Sequence, residues 1–362
     1  MKKIILLVLL LSISVVVFGQ ERQTENVFLI TLDGLRWQEL YTGIDSVLVR
    51  HEDYVRNIDQ LVEDFWHDDT EIRRELLMPF FWNTIAAEGQ LYGNRAYGNH
   101  VDVSNGLNFS YPGYSELLVG YVDENINSNA KEWNPNQTVL EFVNNQHGFE
   151  GKVAAFGSWD VFPYIINSQR SGIPVNAGFS QAEGENVSDR EVFLNELQEQ
   201  IPSPWATVRL DAFTHHYALE YIKREEPRLV YIAYGETDDF GHDGNFQNYA
   251  YSARQTDAFI AELWDYIQSH PSYRDKTTMV ISTDHGRGTD PIDNWRHHGS
   301  GIEGSEEMWI AAIGPDTPAL GVVKEPMQLY QKQIAKTVAR LLNLDYENER
   351  PVGEAVETIL GE

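Results

Sequence analysis

The sequence predicts a three-layer α/β/α sandwich built on a mostly parallel sheet. Three observations predict it. Short, β-branched apolar runs recur along the chain and are bounded by turn residues. Segments with apolar residues spaced three and four apart lie between those runs, as helices covering both faces of a sheet would require. Aspartates and histidines follow three of the runs directly, at the strand ends where open α/β sheets place their ligands.

In chain order, residues 27–32, 152–156, 229–234, 278–283 and 308–313 read as buried strands. Residues 80–88, 138–145, 206–223, 249–269 and 328–342 carry helical apolar spacing, and 115–119 reads as a short helix. The stretches 45–77 and 167–204 are acidic and irregular, and read as surface insertions that shape a pocket. There is no internal repeat and no Pro/Gly/Ser linker, so residues 21–362 are expected to form one domain.

The first 20 residues have the layout of a secretory signal peptide. Lys2 and Lys3 precede an apolar block of 15 residues, 4–18, which is short of the roughly 20 needed to span a bilayer. The expected compartment is bacterial, periplasmic or secreted, with no membrane span after cleavage. With no cysteine in the chain, neither a disulfide nor a lipid anchor on sulfur is available. The formal charge is −28, and loss of Lys2 and Lys3 would take it to −30. Such acidity makes nucleic acid an unsuitable partner, and an anionic substrate would need local cations to enter. Composition leaves oligomeric state open.

The chemistry lies at the strand ends. Asp33-Gly34 follows the first run, Asp238 and His242 follow "RLVYIAYG", and Asp284-His285-Gly286 follows "TTMVIST". With one of His297 and His298 these make six ligands. Carboxylates and imidazoles gathered at one sheet edge repel unless a cation joins them, and mixed Asp/His sets suit zinc, manganese or iron. Six is too many for one tetrahedral ion and fits two. A pair about 3.5–4 Å apart suits in-line phosphoryl or sulfuryl transfer. Ser110, in "NGLNFSYPGYSELLVGY", stands just before a helical run, where a positive helix end and a metal would favour its alkoxide.

These residues, in this order, resemble the alkaline phosphatase superfamily, most closely its nucleotide pyrophosphatase/phosphodiesterase branch. The resemblance rests on Asp33-Gly34, Ser110-Tyr111-Pro112-Gly113-Tyr114, Asp238-x-x-Gly241-His242, Asp284-His285-Gly286 and His298-Gly299. It implies an alkaline-phosphatase-like fold and two divalent ions, zinc first, with manganese, magnesium or calcium as alternatives. Asp33, Ser110, Asp284 and His285 would hold one ion. Asp238, His242 and His298 would hold the other, His298 being preferred to His297 because Gly299 follows it. The nucleophile position carries Ser where that branch has Thr. Tyr114 replaces the Arg that formylglycine-forming sulfatases need two residues beyond their Pro.

Three residues are candidates for contacting substrate: Arg287 as an anion clamp, Trp159 as a pocket wall and Asn105 as a phosphate ligand. Arg36, Arg296, Asn99 and Asn127 are further possibilities, while His215-His216 reads as part of a helix. The expected function is hydrolysis of small-molecule or glycan-linked phosphate esters through Ser110. A sulfatase of polysaccharide breakdown and a non-catalytic metal-binding protein are the alternatives.

Overall fold

A computed structural model describes residues 22–362, so the expected signal peptide at 1–20 lies outside the described residues. Among the described residues no helix is long and apolar enough to cross a membrane.

Eleven strands are described: β1 (Asn26–Leu32), β2 (Gln90–Tyr92), β3 (Asn99–Asp102), β4 (Val153–Gly157), β5 (Val175–Ala177), β6 (Leu229–Tyr234), β7 (Thr277–Ser282), β8 (Glu307–Met308), β9 (Ile310–Ile313), β10 (Gly321–Val322) and β11 (Met327–Tyr330). Eight of them form the main sheet in the order β10-β2-β9-β7-β1-β6-β4-β5, and β11-β3-β8 form a small second sheet. β1 lies at the centre, parallel to β6 on one side and β7 on the other. β9 departs from the parallel pattern, pairing antiparallel with both β7 and β2.

Side-chain alternation along β1 explains the three layers. Phe28, Ile30 and Leu32 join one core cluster, together with Ile222 of the helix Asp211–Glu225 and Ile260 of the helix Phe246–Ser269. Val27 and Leu29 join the other, with Leu117 of the helix Ser110–Val119 and Val338 of the helix Gln333–Leu341. β1 therefore buries both faces, as β4, β6 and β7 do, which is why their sequences read as continuous apolar runs.

Differences from the sequence reading have local causes. The run at 308–313 is two strands, because β8 leaves for the small sheet before β9 returns to the main one. The segment at 328–342 opens with β11, and helix begins only at Gln333. The stretches 45–77 and 167–204 are more regular than their composition suggests. The first contributes the helices Ile58–Phe65 and Thr70–Leu77, whose Leu61, Phe65 and Leu77 enter the core. The second supplies the edge strand β5 and the helix Asp189–Gln200, begun by a capping box of Ser188 and Glu191.

Candidate metal centre

The three central strands β7, β1 and β6 end side by side, and the residues just beyond them converge. Thr31 is level with Ser282, and continuing that register brings Asp33 level with Asp284. Gly34 turns the chain at φ +59°, and a Cβ there would lie 2.8 Å from Asp238 Oδ1 and 3.3 Å from His285 Cε1. Only glycine meets both the positive φ and that approach. Asp238 and His242 begin and end neighbouring turns of the helix Glu236–His242 after β6, so the four-residue spacing puts them on one face.

The first ligand set is Asp33, Asp284 and His285. Its His285 Nε2 lies 3.4 Å from Asp33 Oδ1 and 3.4 Å from Asp284 Oδ2. All three atoms are buried without a hydrogen-bond partner, a rare condition for such polar groups. Their other atoms are held. Tyr114 donates its hydroxyl to Asp33 Oδ2 at 2.8 Å, the Gly34 N–H donates to Asp284 Oδ1 at 3.1 Å, and His285 Nδ1 donates to the Gly286 carbonyl at 2.9 Å. Each ligand thus has one atom oriented by the protein and one left for a cation. Tetrahedral bonds of about 2.0–2.1 Å separate ligand atoms by about 3.3 Å, so the observed spacings fit a divalent ion.

The second set is Asp238, His242 and His298. His242 Nε2 lies 3.1 Å from Asp238 Oδ2 and 3.0 Å from His298 Nε2, while His298 Nε2 is 3.6 Å from Asp238 Oδ1. His298 Nδ1 donates to the Asn108 carbonyl at 3.0 Å, leaving Nε2 as the free lone pair. His285 connects the sets: its ring stacks on that of His298 with centroids 3.9 Å apart, and its Nε2 is 4.0 Å from Asp238 Oδ1. His297 is exposed, whereas His298 is half-buried against Asp238.

The electrostatics match a cation-binding role. Burial, and then the Asp238 charge, raise Asp33 well above the usual carboxylate range; burial followed by Asp33 and Asp238 does the same to Asp284. Burial lowers His285 to about 4, keeping its imidazole neutral. Burial also opposes ionisation of Asp238, but Arg287, His242 and His298 together hold it well below its ordinary value.

Ser110 is buried and is the first residue of the helix Ser110–Val119, rather than standing before it. Pro112 fits in the first turn, where no intrahelical N–H is needed. Gly113 permits close packing, since a Cβ there would meet the Asp284 carbonyl oxygen at 2.5 Å. The same helix sends Tyr114 to Asp33, and the preceding Asn108, at φ +53°, holds His298. The Ser110 segment is therefore tied to both ligand sets.

The other candidates fall in different places. The guanidinium of Arg287 is wholly buried and donates to Asp238 and to the carbonyls of Trp295 and Arg296. It is engaged inside the protein and not open as a clamp. Asn105 orders the loop before Ser110, accepting from the N–H groups of Leu107 and Asn108 and donating to buried Glu116. Trp159 is half-buried and packs edge-on against Phe162. Arg36 is paired with Glu39, Asn99 bridges Gly93 and Glu325, and Asn127 is exposed. Arg296 is half-buried beside His242, donating to its carbonyl at 3.1 Å, with its Nε unpartnered.

Sequence reading missed the orienting groups. Tyr114 lies four residues after Ser110, a helical spacing that could have placed it on the same face. Thr237, which donates to the Asp33 carbonyl, and Asn129, which accepts from the Tyr111 N–H at 3.0 Å, had no comparable signal.

The sequence profile of the Metalloenzyme superfamily matches residues 184–299, the span that carries Asp238, His242, Asp284, His285 and His298. An alkaline phosphatase, PafA, superposes with a TM-score of 0.59 at 10% identity, covering 95% of this chain and 100% of that one. The profile match and the shared fold both support the resemblance to the alkaline-phosphatase-like metalloenzyme superfamily. Other solved structures of similar fold include a phosphonate monoester hydrolase of Agrobacterium radiobacter, with TM-score 0.56, 12% identity, and 93% and 77% coverage. A 2-O GAG sulfatase has TM-score 0.58, 13% identity, and 94% and 75% coverage. A curated relative, a 2,3-bisphosphoglycerate-independent phosphoglycerate mutase of Gracilaria tenuistipitata var. liui, is 26% identical over 179 residues, 45% of this chain. The chain spans 32% of that relative's length. At these identities the structural likenesses show the fold alone, and the proteins that share it include a phosphatase, a phosphonate hydrolase and a sulfatase.

Proposed function

We propose that this protein is an exported two-metal hydrolase of phosphate esters with Ser110 as its nucleophile. The observation that carries the reading is the attachment of the Ser110 helix start to both ligand sets, through Gly113 and Tyr114 on one side and Asn108 on the other. Asp33, Asp284 and His285, with Ser110, would hold one ion, and Asp238, His242 and His298 the other. With three imidazoles among the ligands, zinc suits the donor set best, ahead of manganese, magnesium or calcium. Bound there, divalent ions would supply the positive charge that favours a serine alkoxide and a departing ester oxygen.

The chain's own residues do the rest. Tyr114, whose proton is retained because burial and the nearby carboxylates push its pKa up, keeps Asp33 oriented. The helix start presents Ser110 with its positive end toward an incoming anion. Ser110 Oγ then bonds to phosphorus as the ester oxygen leaves, and water reopens the phosphoserine to free enzyme and phosphate. Arg296, half-buried beside His242 with its Nε unpartnered, would meet the anion, and the half-buried Trp159 would line the approach.

The test is a panel of aryl phosphate monoester, phosphate diester and sulfate ester probes on protein of measured metal content, with Ser110→Ala alongside. Turnover of a phosphate probe, lost by about 10³-fold or more in Ser110→Ala with metals retained, supports the proposal. Unchanged turnover in that variant removes Ser110 as nucleophile, and turnover of the sulfate probe alone makes the protein a sulfatase.

A further inference from the structure

We infer that Arg287 is built into the centre as a permanent third cation, and that it makes the two ligand sets unequal. Asp33, Asp284 and His285 hold their ion tightly, while the ion on Asp238, His242 and His298 is loosely held and exchangeable. This deepens the metal-dependent reading above and rests on it.

The guanidinium cannot leave the centre. Its Nε donates to the Trp295 carbonyl at 2.8 Å, one terminal nitrogen donates to the Arg296 carbonyl and the other to Asp238 Oδ1. Two glycines shape its slot. A Cβ on Gly241 would lie 2.7 Å from the Arg287 Cζ, and one on Gly34 would lie 3.0 Å from its Nη1. Both motif glycines, in Asp33-Gly34 and in Asp238-x-x-Gly241-His242, are thus needed to admit this side chain.

The consequence for the ligands is asymmetric. Arg287 engages Asp238 Oδ1, the oxygen 3.6 Å from His298, so within the second set only Oδ2, 3.1 Å from His242, is not shared with a fixed cation. An ion there would share one carboxylate with a fixed positive charge, and like charges at that range repel. In contrast, among the described residues no Lys or Arg forms an ion pair with Asp33 or Asp284, and their free oxygens stand unpartnered with His285 Nε2. Access differs in the same sense. The His242 side chain is 46% exposed, whereas no ligand of the first set exceeds 9%, so the second set is open to water through His242.

The experiment is equilibrium dialysis of the metal-free full chain against zinc at rising free concentration, with bound zinc counted by elemental analysis and folding followed by circular dichroism. Wild type should take up one equivalent first, and a second at free zinc about tenfold higher or more. Arg287→Met, which removes the charge, should narrow that gap about tenfold; Arg287→Lys, which keeps it, should preserve most of the gap. Should Arg287→Met not fold, zinc release to a chromogenic chelator decides. Wild type should lose one ion fast and one slowly, and His298→Ala should lack the fast ion while keeping the slow one. Two equivalents of equal affinity in wild type, or an unchanged gap in folded Arg287→Met, overturn the inference and leave the metal-dependent reading standing. No bound zinc or other divalent ion in wild type overturns both.

Discussion

Among the described residues, histidines and carboxylates cluster in groups of three or more beyond the central strands and again between two helices, and the two places differ in how their polar atoms are used. The first, beyond β7, β1 and β6, contains three buried ligand atoms with no partner. The second, His215, His216 and Glu262, joins the helices Asp211–Glu225 and Phe246–Ser269, with ligand atoms within 4.8 Å of one another. There His215 is already satisfied: Nδ1 pairs with the Tyr234 hydroxyl at 3.0 Å and Nε2 with Glu262 at 3.1 Å, and the ring stacks on Phe259. Residue type and proximity are alike in the two groups. What differs is that the central histidine of one group, His215, has both ring nitrogens paired by the protein, leaving only His216 Nδ1 buried without a partner there, whereas the other group has three converging ligand atoms held open by hydrogen bonds to their other atoms, which is what an ion requires.

The sharpest way to break this comparison is to substitute one ligand in the first group. Asp284→Asn is expected to lose the tightly held ion and to cut turnover by about 10³-fold or more, read by elemental analysis and phosphate-ester kinetics. Retained metal with full turnover would put the centre elsewhere. A smaller effect is expected from Gly34→Ala. Its Cβ would press on Asp238 and Arg287 at a positive φ, so about 1–3 kcal/mol of stability and roughly tenfold or more in turnover should be lost. Thermal melts and kinetics together would read both, and a variant indistinguishable from wild type would show that the close approach is not needed.

Acidity offers a further contrast. Asp33 and Asp284 are raised above the ordinary carboxylate range, so in the metal-free protein they keep protons that an incoming ion must displace. Metal affinity should therefore rise with pH, and calorimetry in buffers of different ionisation enthalpy should show proton release. The stability of the metal-free protein has the opposite sign. A carboxyl with a raised native value binds more protons folded than unfolded, so stability falls as pH rises from about 4 through the raised values. A chelated sample whose melting temperature instead climbs across that window would contradict the assignment.

The smallest effects belong to the second group. His216→Ala should leave turnover within about twofold and change stability by less than about 1 kcal/mol. His215→Ala removes a buried ring stacked on Phe259 and should cost about 2–3 kcal/mol, again without touching turnover. Loss of turnover in His216→Ala would mean that this group is functional after all.

Strand periodicity made β1, β4, β6 and β7 legible to within a residue or so, since parallel strands buried on both faces read as unbroken apolar runs. The short β2, β5 and β10 carry too few residues for a period, and β8 and β9 were merged because a change of sheet leaves no mark in hydropathy. Within the centre, Asp33, Asp238, His242, Asp284, His285 and His298 could be named from residues and motif order, because each stands next to a recognisable strand end or motif glycine. The role of Arg287 could not be read the same way. Its three donors reach partners that only folding assembles, so a charge that resembles a surface clamp in sequence becomes an interior part of the centre.

The sequence by itself determined the layers, the strand ends at which Asp and His collect and the candidate ligands with their grouping, because burial pattern and residue type are local properties. Only the tertiary structure decided which oxygen of each carboxylate remains free, and that both ring nitrogens of His215 are paired while His285 Nε2 is not. Those outcomes depend on hydrogen bonds between residues far apart in the chain, such as Tyr114 to Asp33 and His298 to Asn108, whose separations of 81 and 190 residues leave no periodic trace.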